Sequence, residues 1–126
     1  MTDCKALISD LDGTLLNDKK KVGDEDLKIL HEAGEKGIQR IIATGRSLFS
    51  FKQVIPDEYP LDYLVLAAGA GTYDLRKQKI IESHHIKADK VNEIITKLDS
   101  LQVDYQIRAK VPDSHKYYYR QFSHIN

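Results

Sequence analysis

The sequence predicts an α/β fold built on a mostly parallel sheet, and three observations carry that reading. Strand-like apolar runs alternate with helical stretches, and the run Ala6-Leu7-Ile8 is continuous, as in strands covered on both faces. A polar, glycine-bearing loop follows the first strand directly, at the carboxyl end where such sheets hold their ligands. No repeat, low-complexity tract or linker rich in proline, glycine and serine interrupts the alternation.

Each element has its own signal. The first strand is expected over Cys4–Ser9, followed by a loop with Gly13 and Asn17-Asp18-Lys19. A helix fits Asp24–Lys36, with Leu27, Leu30 and Ala33 along one side and Gly37 as a left-handed stop. Asp24, Glu25 and Asp26 stand at its positive end, where carboxylates favour the dipole. Ile38–Ala43 and Leu61–Ala67 read as the next strands, with a short helix around Ser47–Val54 between them, ended by Pro56. Thr72–Leu75 and Lys79–Glu82 then form the arms of a hairpin. Over Asp89–Leu101, Val91, Ile94, Ile95, Leu98 and Leu101 give one clean helical face, expected to be core packing. Val103–Ala109 and Lys116–Phe122 alternate like two strands around a turn at Pro112-Asp113-Ser114. The pattern divides near Ser83, giving a core unit over 1–83 and the beginning of a second α/β unit over 84–126.

Composition narrows the function classes. The 126 residues are 41% hydrophobic and 30% charged, a soluble globular mixture. Lysine plus arginine count 19 and aspartate plus glutamate count 19, so there is no whole-molecule attraction to nucleic acid or acidic membranes. No apolar run approaches the ~20 residues of a membrane helix, and the amino terminus has no signal pattern. Cys4 is the single cysteine, which excludes an intrachain disulfide and points to a reducing cytoplasm.

The chemistry concentrates in Asp10-Leu11-Asp12-Gly13-Thr14. Carboxylates two residues apart on an extended backbone point the same way, and Leu11 points opposite. Gly13 allows a sharp turn, and Thr14 adds a hydroxyl and an N–H for an incoming anion. Two close carboxylates repel, and a divalent, oxygen-loving cation relieves that repulsion and draws in phosphate. One carboxylate can then attack phosphorus while the other handles the leaving-group proton. Thr44-Gly45-Arg46 follows the second strand, thirty-four positions after Asp10 and Asp12 respectively for Thr44 and Arg46. That spacing suits a strand–helix–strand unit bringing a hydroxyl and an open glycine N–H beside Asp10 as a phosphate cradle.

Ile8-Ser9-Asp10-Leu11-Asp12-Gly13-Thr14-Leu15-Leu16 resembles the first motif of the haloacid dehalogenase superfamily, and Thr44-Gly45-Arg46 is similar to its second. That form of the second motif resembles the Cof-type branch, in which a large α/β cap follows the third strand. The resemblance implies a Rossmann-like core and a magnesium-dependent phosphatase working through an aspartyl-phosphate. Asp10 would be the nucleophile, Asp12 the general acid/base, and both would hold magnesium, Asp12 through its backbone carbonyl. Leu11, Gly13, Thr14, Thr44 and Gly45 would bind phosphate, and Arg46 would face the cap and steady substrate. The expected partner is a small phosphorylated metabolite, a sugar phosphate or cofactor phosphate, with neither nucleic acid nor membrane involved.

One position departs from the branch: Ala68 stands where an asparagine usually follows the third strand. Gly69 and Gly71 read as turn glycines, not a dinucleotide fingerprint. His84 and His85 are adjacent and cannot chelate one metal from a strand, and with His31, His115 and His124 they read as surface or core-edge residues. Tyr117-Tyr118-Tyr119 reads as a strand of the cap, although flanking cations would also permit base stacking. The family's lysine and its glycine-aspartate-rich metal turn have no match through Asn126, so the sequence is expected to hold the amino-terminal half of such an enzyme and to be inactive alone. A sugar-phosphate phosphomutase and a non-catalytic binding module are the alternatives. A phospho-receiver module is disfavoured, since its acceptor aspartate would follow the third strand, which here reads Leu64-Val65-Leu66-Ala67-Ala68.

Overall fold

Along Gln39–Ala43 and Tyr63–Leu66 deeply buried residues alternate with less buried ones, as a pleated strand requires when one face is sealed. In the computed structural model, which describes residues 3–122, these are β2 and β3 of a five-stranded sheet. β1 (Ala6–Asp10), β4 (Gly71–Asp74) and β5 (Lys79–Ser83) complete it in the order β1-β2-β3-β4-β5. The first three strands are parallel; β4 and β5 return antiparallel as the expected hairpin, with an irregularity at Thr72/Tyr73.

α1 (Asp24–Glu35) joins β1 to β2 and buries Leu30 and Ala33. α2 (Leu48–Lys52) joins β2 to β3, with Ser47 as its N-cap: the Ser47 side chain accepts from the Ser50 N–H at 3.2 Å. Leu11, Leu16, Ile42, Phe51, Leu64 and Leu66 are fully enclosed between these elements. At the amino ends of β2 and β3 a buried ion pair ties the strands together. Arg40 donates from Nε and Nη2 to Asp62 at 2.8 and 2.9 Å, and from Nη1 to the Leu30 carbonyl at 3.2 Å. Arg76 also pairs with Asp62, and a Cβ at Gly34 would collide with the Arg40 guanidinium.

Two expectations need correction. The first strand begins at Ala6 and includes Asp10, and it is not covered on both faces, because Ile8 is 67% exposed. The apolar face of α3 (Ala88–Ser100) is not a packed core either, because none of its residues is fully buried. Val91, Ile95 and Leu98 are half-buried and Ile94 is 45% exposed, lining an open groove of about 880 Å³ with Tyr105 and Ile107.

β6 (Tyr105–Arg108) and β7 (Tyr117–Arg120) form a separate antiparallel pair that leaves Tyr117, Tyr118 and Tyr119 exposed. Their connecting turn reaches back to the first sheet, where Val111 joins the core beside Gly71. Among the described residues no helix is long and apolar enough to cross a membrane.

Candidate active site

The parallel register sets Asp10 opposite Ala43, so Asp10 and Thr44 stand together at the carboxyl ends of β1 and β2. Beyond Asp10 the chain turns sharply: Leu16 N–H donates to the Leu11 carbonyl at 2.9 Å, and Gly13 adopts φ +74°, a left-handed conformation that suits glycine. Leu11 is entirely buried, whereas Asp10 is exposed and Asp12 partly so. The side chain of Leu11 therefore anchors the loop in the core and can offer a phosphate only its backbone N–H. Gly13, Thr14 and Gly45 are exposed.

Thr44 is buried and tightly tied. Its N–H donates to the Val65 carbonyl at 2.9 Å, its carbonyl accepts from Ala68 N–H at 3.1 Å, and its Oγ1 accepts from Arg46 N–H at 3.2 Å. The hydroxyl proton is left to donate to an anion. The loop after β3 is held to the same place by Ala67 N–H, which donates to the Arg46 carbonyl at 2.8 Å. Ala67, Ala68 and Gly69 all take left-handed φ there (50°, 55° and 94°).

The guanidinium of Arg46 lies on Asp12. Nε donates to Asp12 Oδ2 at 2.7 Å and Nη2 to Oδ1 at 2.8 Å, a bidentate geometry that favours arginine. Nη1 donates to the Ser50 hydroxyl at 2.8 Å and to its carbonyl at 3.1 Å. Lys20 Nζ adds a third donor to Asp12, at 3.2 Å. Hydrogen bonding to Arg46 is the main reason the Asp12 carboxyl is held well below the usual carboxylate range; partial burial opposes it and Lys20 reinforces it. Arg46 is raised in turn by its bond to Asp12.

Sequence reasoning missed Lys20 and Ser50 as part of this arrangement. Three consecutive lysines shortly after an acidic motif, and a serine one helical turn beyond Arg46, were the available signals. Asp10 makes no side-chain hydrogen bond or ion pair among the described residues, which leaves its carboxylate open to a ligand. The histidines stay apart from it: His84 pairs with Glu82 at 3.0 Å, His31 and His85 are exposed, and His115 stacks on Phe49. His124 lies outside the described residues. No group of three or more histidine, cysteine, aspartate or glutamate side chains gathers as a metal centre among those residues. The donors at the site are the oxygens of Asp10 and Asp12, an oxygen-only set that suits magnesium rather than zinc.

Comparison with known proteins agrees with this architecture. Haloacid dehalogenase-like hydrolases match as a family over residues 7–125. The chain is 34% identical over 89 residues to the 5-amino-6-(5-phospho-D-ribitylamino)uracil phosphatase YcsE of Bacillus subtilis, covering 68% of this chain and 36% of that protein. It is 30% identical over 86 residues to the HMP-PP phosphatase of Serratia proteamaculans, covering 68% of this chain and 31% of the relative. The chain thus spans about a third of the length of these curated relatives. Among solved structures, the phosphatase BT1666 of Bacteroides thetaiotaomicron superposes with a TM-score of 0.75 at 24% identity, over 92% of this chain and 41% of that one. The sugar phosphatase BT4131 superposes with a TM-score of 0.62 at 24% identity, over 91% and 43%. The acidic loop at the end of β1, the threonine at the end of β2 and the family match over nearly the whole length agree: this chain belongs to the haloacid dehalogenase-like hydrolases.

Proposed function

We propose that the protein is a magnesium-dependent phosphatase that cleaves a phosphomonoester of a small cytoplasmic metabolite through an aspartyl-phosphate on Asp10. The observation that carries this reading is the unequal state of the two carboxylates. Asp10 is exposed and unengaged among the described residues, as a nucleophile must be, whereas Asp12 is oriented by Arg46 and Lys20.

An Asp10 oxygen attacks phosphorus and the bond from phosphorus to the ester oxygen breaks. Protonated Asp12 gives its proton to the departing oxygen, releasing an alcohol. In the second half, ionised Asp12 takes a proton from water as that water attacks the phosphorus, which frees inorganic phosphate and Asp10. The clamp on Asp12 favours the ionised form that the second half uses. An anionic phosphate competes for the Arg46 guanidinium, and a loosened clamp lets Asp12 carry the proton that the first half requires. The Thr44 hydroxyl and the backbone N–H groups of Leu11, Gly13, Thr14 and Gly45 would receive the phosphate oxygens. Asp10 and the Asp12 backbone carbonyl would hold magnesium, which would neutralise charge between carboxylate and phosphate.

We assign residues 1–83 to the core unit and 84–126 to the start of the cap, supported by the change of sheet after Ser83. A sugar phosphate or cofactor phosphate is the substrate class, in keeping with relatives named for phosphorylated metabolites. Asp10→Asn tests the reading: activity should fall by about three or more decades, because the covalent step is lost. Survival of activity within about tenfold would overturn the assignment.

A further inference from the structure

The Asp12 carboxylate is held from two directions, and its two holders are built differently. Arg46 supplies two donors, Nε to Oδ2 at 2.7 Å and Nη2 to Oδ1 at 2.8 Å. Lys20 supplies one, Nζ to Oδ1 at 3.2 Å. Oδ2 thus depends on Arg46, whereas Oδ1 is held twice. Lys20 sits at the tip of a loop whose base is fixed: Leu16 bridges to both Asp12 and Val22, and Leu16 and Val22 are buried. Asn17 builds the tip. Its N–H donates to the Lys21 carbonyl and its carbonyl accepts from Lys20 N–H, both at 2.9 Å. Its side-chain oxygen accepts from Lys19 N–H at 2.9 Å and from Lys21 N–H at 3.2 Å. Lys20 itself takes φ 58°, a left-handed conformation uncommon for a residue with a Cβ. Such backbone persists where the surrounding bonds over-determine it, and it gathers at functional sites. An exposed lysine–carboxylate pair is ordinarily weak, because two long side chains must be ordered to form it. Here the backbone beneath the lysine is already fixed by the turn.

Resting on the phosphatase reading, we infer that Lys20 is a positioning residue: it keeps Asp12 Oδ1 in place when phosphate draws Arg46 away, leaving Oδ2 to move the proton. The arriving phosphate takes the Arg46 donors, so Oδ2 loses its partner while Oδ1 keeps Lys20. In the first half, the proton on Oδ2 passes to the ester oxygen as the bond from that oxygen to phosphorus breaks. In the second half, Oδ2 takes a proton from the attacking water. Without Lys20 the carboxyl group loses its remaining side-chain anchor, and a misplaced proton donor is costly in rate. The cost depends on the leaving group. An alkoxide is a strong base and must be protonated as it departs, whereas a nitrophenolate leaves without that help.

The test measures kcat/KM, which reports events up to the aspartyl-phosphate, for Lys20→Met and Lys20→Arg with magnesium present. Substrates are glucose 6-phosphate, ribose 5-phosphate and erythritol 4-phosphate on one side and p-nitrophenyl phosphate on the other. Lys20→Met should lower kcat/KM on the best alkyl ester by about tenfold or more, and on p-nitrophenyl phosphate by less than about threefold. Lys20→Arg keeps a donor on the same turn and should stay within about threefold of the parent on both. Asn17→Leu, which removes the acceptor that builds the turn, should show the leaving-group pattern of Lys20→Met. Equal losses on both ester classes, no loss in Lys20→Met, or no recovery in Lys20→Arg would overturn the inference and leave the phosphatase reading standing. Absence of Asp10-dependent turnover on every ester would overturn the phosphatase reading and this inference with it. Side-chain NMR gives a readout besides activity, during titration of the parent with inorganic phosphate and magnesium. The Arg46 Nε–H signal should shift while the Lys20 ammonium signal, identified by its loss in Lys20→Met, stays in place. A displaced Lys20 signal or an unmoved Arg46 signal would overturn the inference whatever the rates.

Discussion

The first sheet and the α3–hairpin unit start from equally regular apolar patterns and finish differently. Around β2 and β3, Leu11, Ile42, Phe51, Leu64 and Leu66 are sealed from water. Along α3 a stripe of the same regularity seals none of its residues, and Leu101 at its end is 57% exposed. The difference lies in the second layer. β2 and β3 have strands on both sides, with α1, α2 and the β1 loop to cover them. α3 has beside it a two-stranded pair, too narrow to cover a helix. Periodicity states which face must be buried; it does not state what is present to bury it.

The sharpest way to break this comparison is to remove a buried charge from the sheet and an exposed one from the other unit. Asp62→Ala leaves the Arg40 guanidinium buried without its partner, so unfolding free energy should fall by about 3–5 kcal/mol. Glu93→Ala removes an exposed ion pair with Lys90 on α3 and should cost less than about 0.5 kcal/mol. Urea denaturation of both variants measures the contrast; comparable losses would mean that the two units are equally consolidated.

Apolar truncation sharpens the same contrast. Leu64→Ala empties space in a closed core and should cost about 2–5 kcal/mol. Ile94 is already 45% exposed, so Ile94→Ala forfeits only part of its transfer energy, about 1 kcal/mol. Denaturation midpoints at constant slope would report the difference.

Most of the element order could be read from the residues, and the reasons are local. The α1 stripe, the acidic first turn of that helix, the hairpin arms and the α3 face are all short-range patterns, and each produced its element within a few residues. The acidic loop was legible for the same reason: Asp10, Leu11 and Asp12 alternate on a backbone whose direction the preceding strand sets. What could not be read depends on partners distant in the chain. Arg40 and Asp62 meet across 22 positions, and an arginine in a strand gives no sign of the carboxylate it will find. The motif that holds Arg46 was legible, but its clamp on Asp12 depends on the loop geometry of both motifs together. Neither the exposed face of β1 nor the groove along α3 is encoded in spacing at all.

A milder perturbation of the buried pair uses pH. Burial pushes the Asp62 carboxyl upward, but hydrogen bonds from the Arg40 side chain and backbone N–H, with charge from Arg40 and Arg76, outweigh it and leave the group below its ordinary value of 3.8. A carboxyl lowered on folding contributes its full stability above the unfolded value and loses it as pH falls through the lower folded one. Stability should therefore decline below about pH 4, by less than the full Asp62→Ala loss. In Asp62→Asn this contribution to the acid slope should vanish, and an unchanged slope in pH-dependent denaturation would show that other carboxylates govern it.

The smallest expected effect concerns the loop that joins the sheet to its hairpin. Ala68 holds φ 55° and ψ 38°, a left-handed conformation that crowds a Cβ against the following carbonyl. Its N–H nevertheless donates to Thr44, so the strained residue is one that fixes the loop against the site. Ala68 is exposed and its methyl adds nothing to the sealed core, whereas Ala67, left-handed as well, packs against that core. Ala68→Gly should relieve the crowding, and the extra freedom of glycine in the unfolded chain takes back part of that gain, leaving a net stabilisation of about 0.5–1 kcal/mol. Ala68→Asn should gain a smaller amount, a few tenths of a kcal/mol, because asparagine tolerates this region better than alanine does. Ala67→Gly removes the same strain together with a packed methyl and should gain less than Ala68→Gly. The order of the three in thermal melting is the measurement, and a loss of stability in Ala68→Gly would show that the alanine at 68 is not strained.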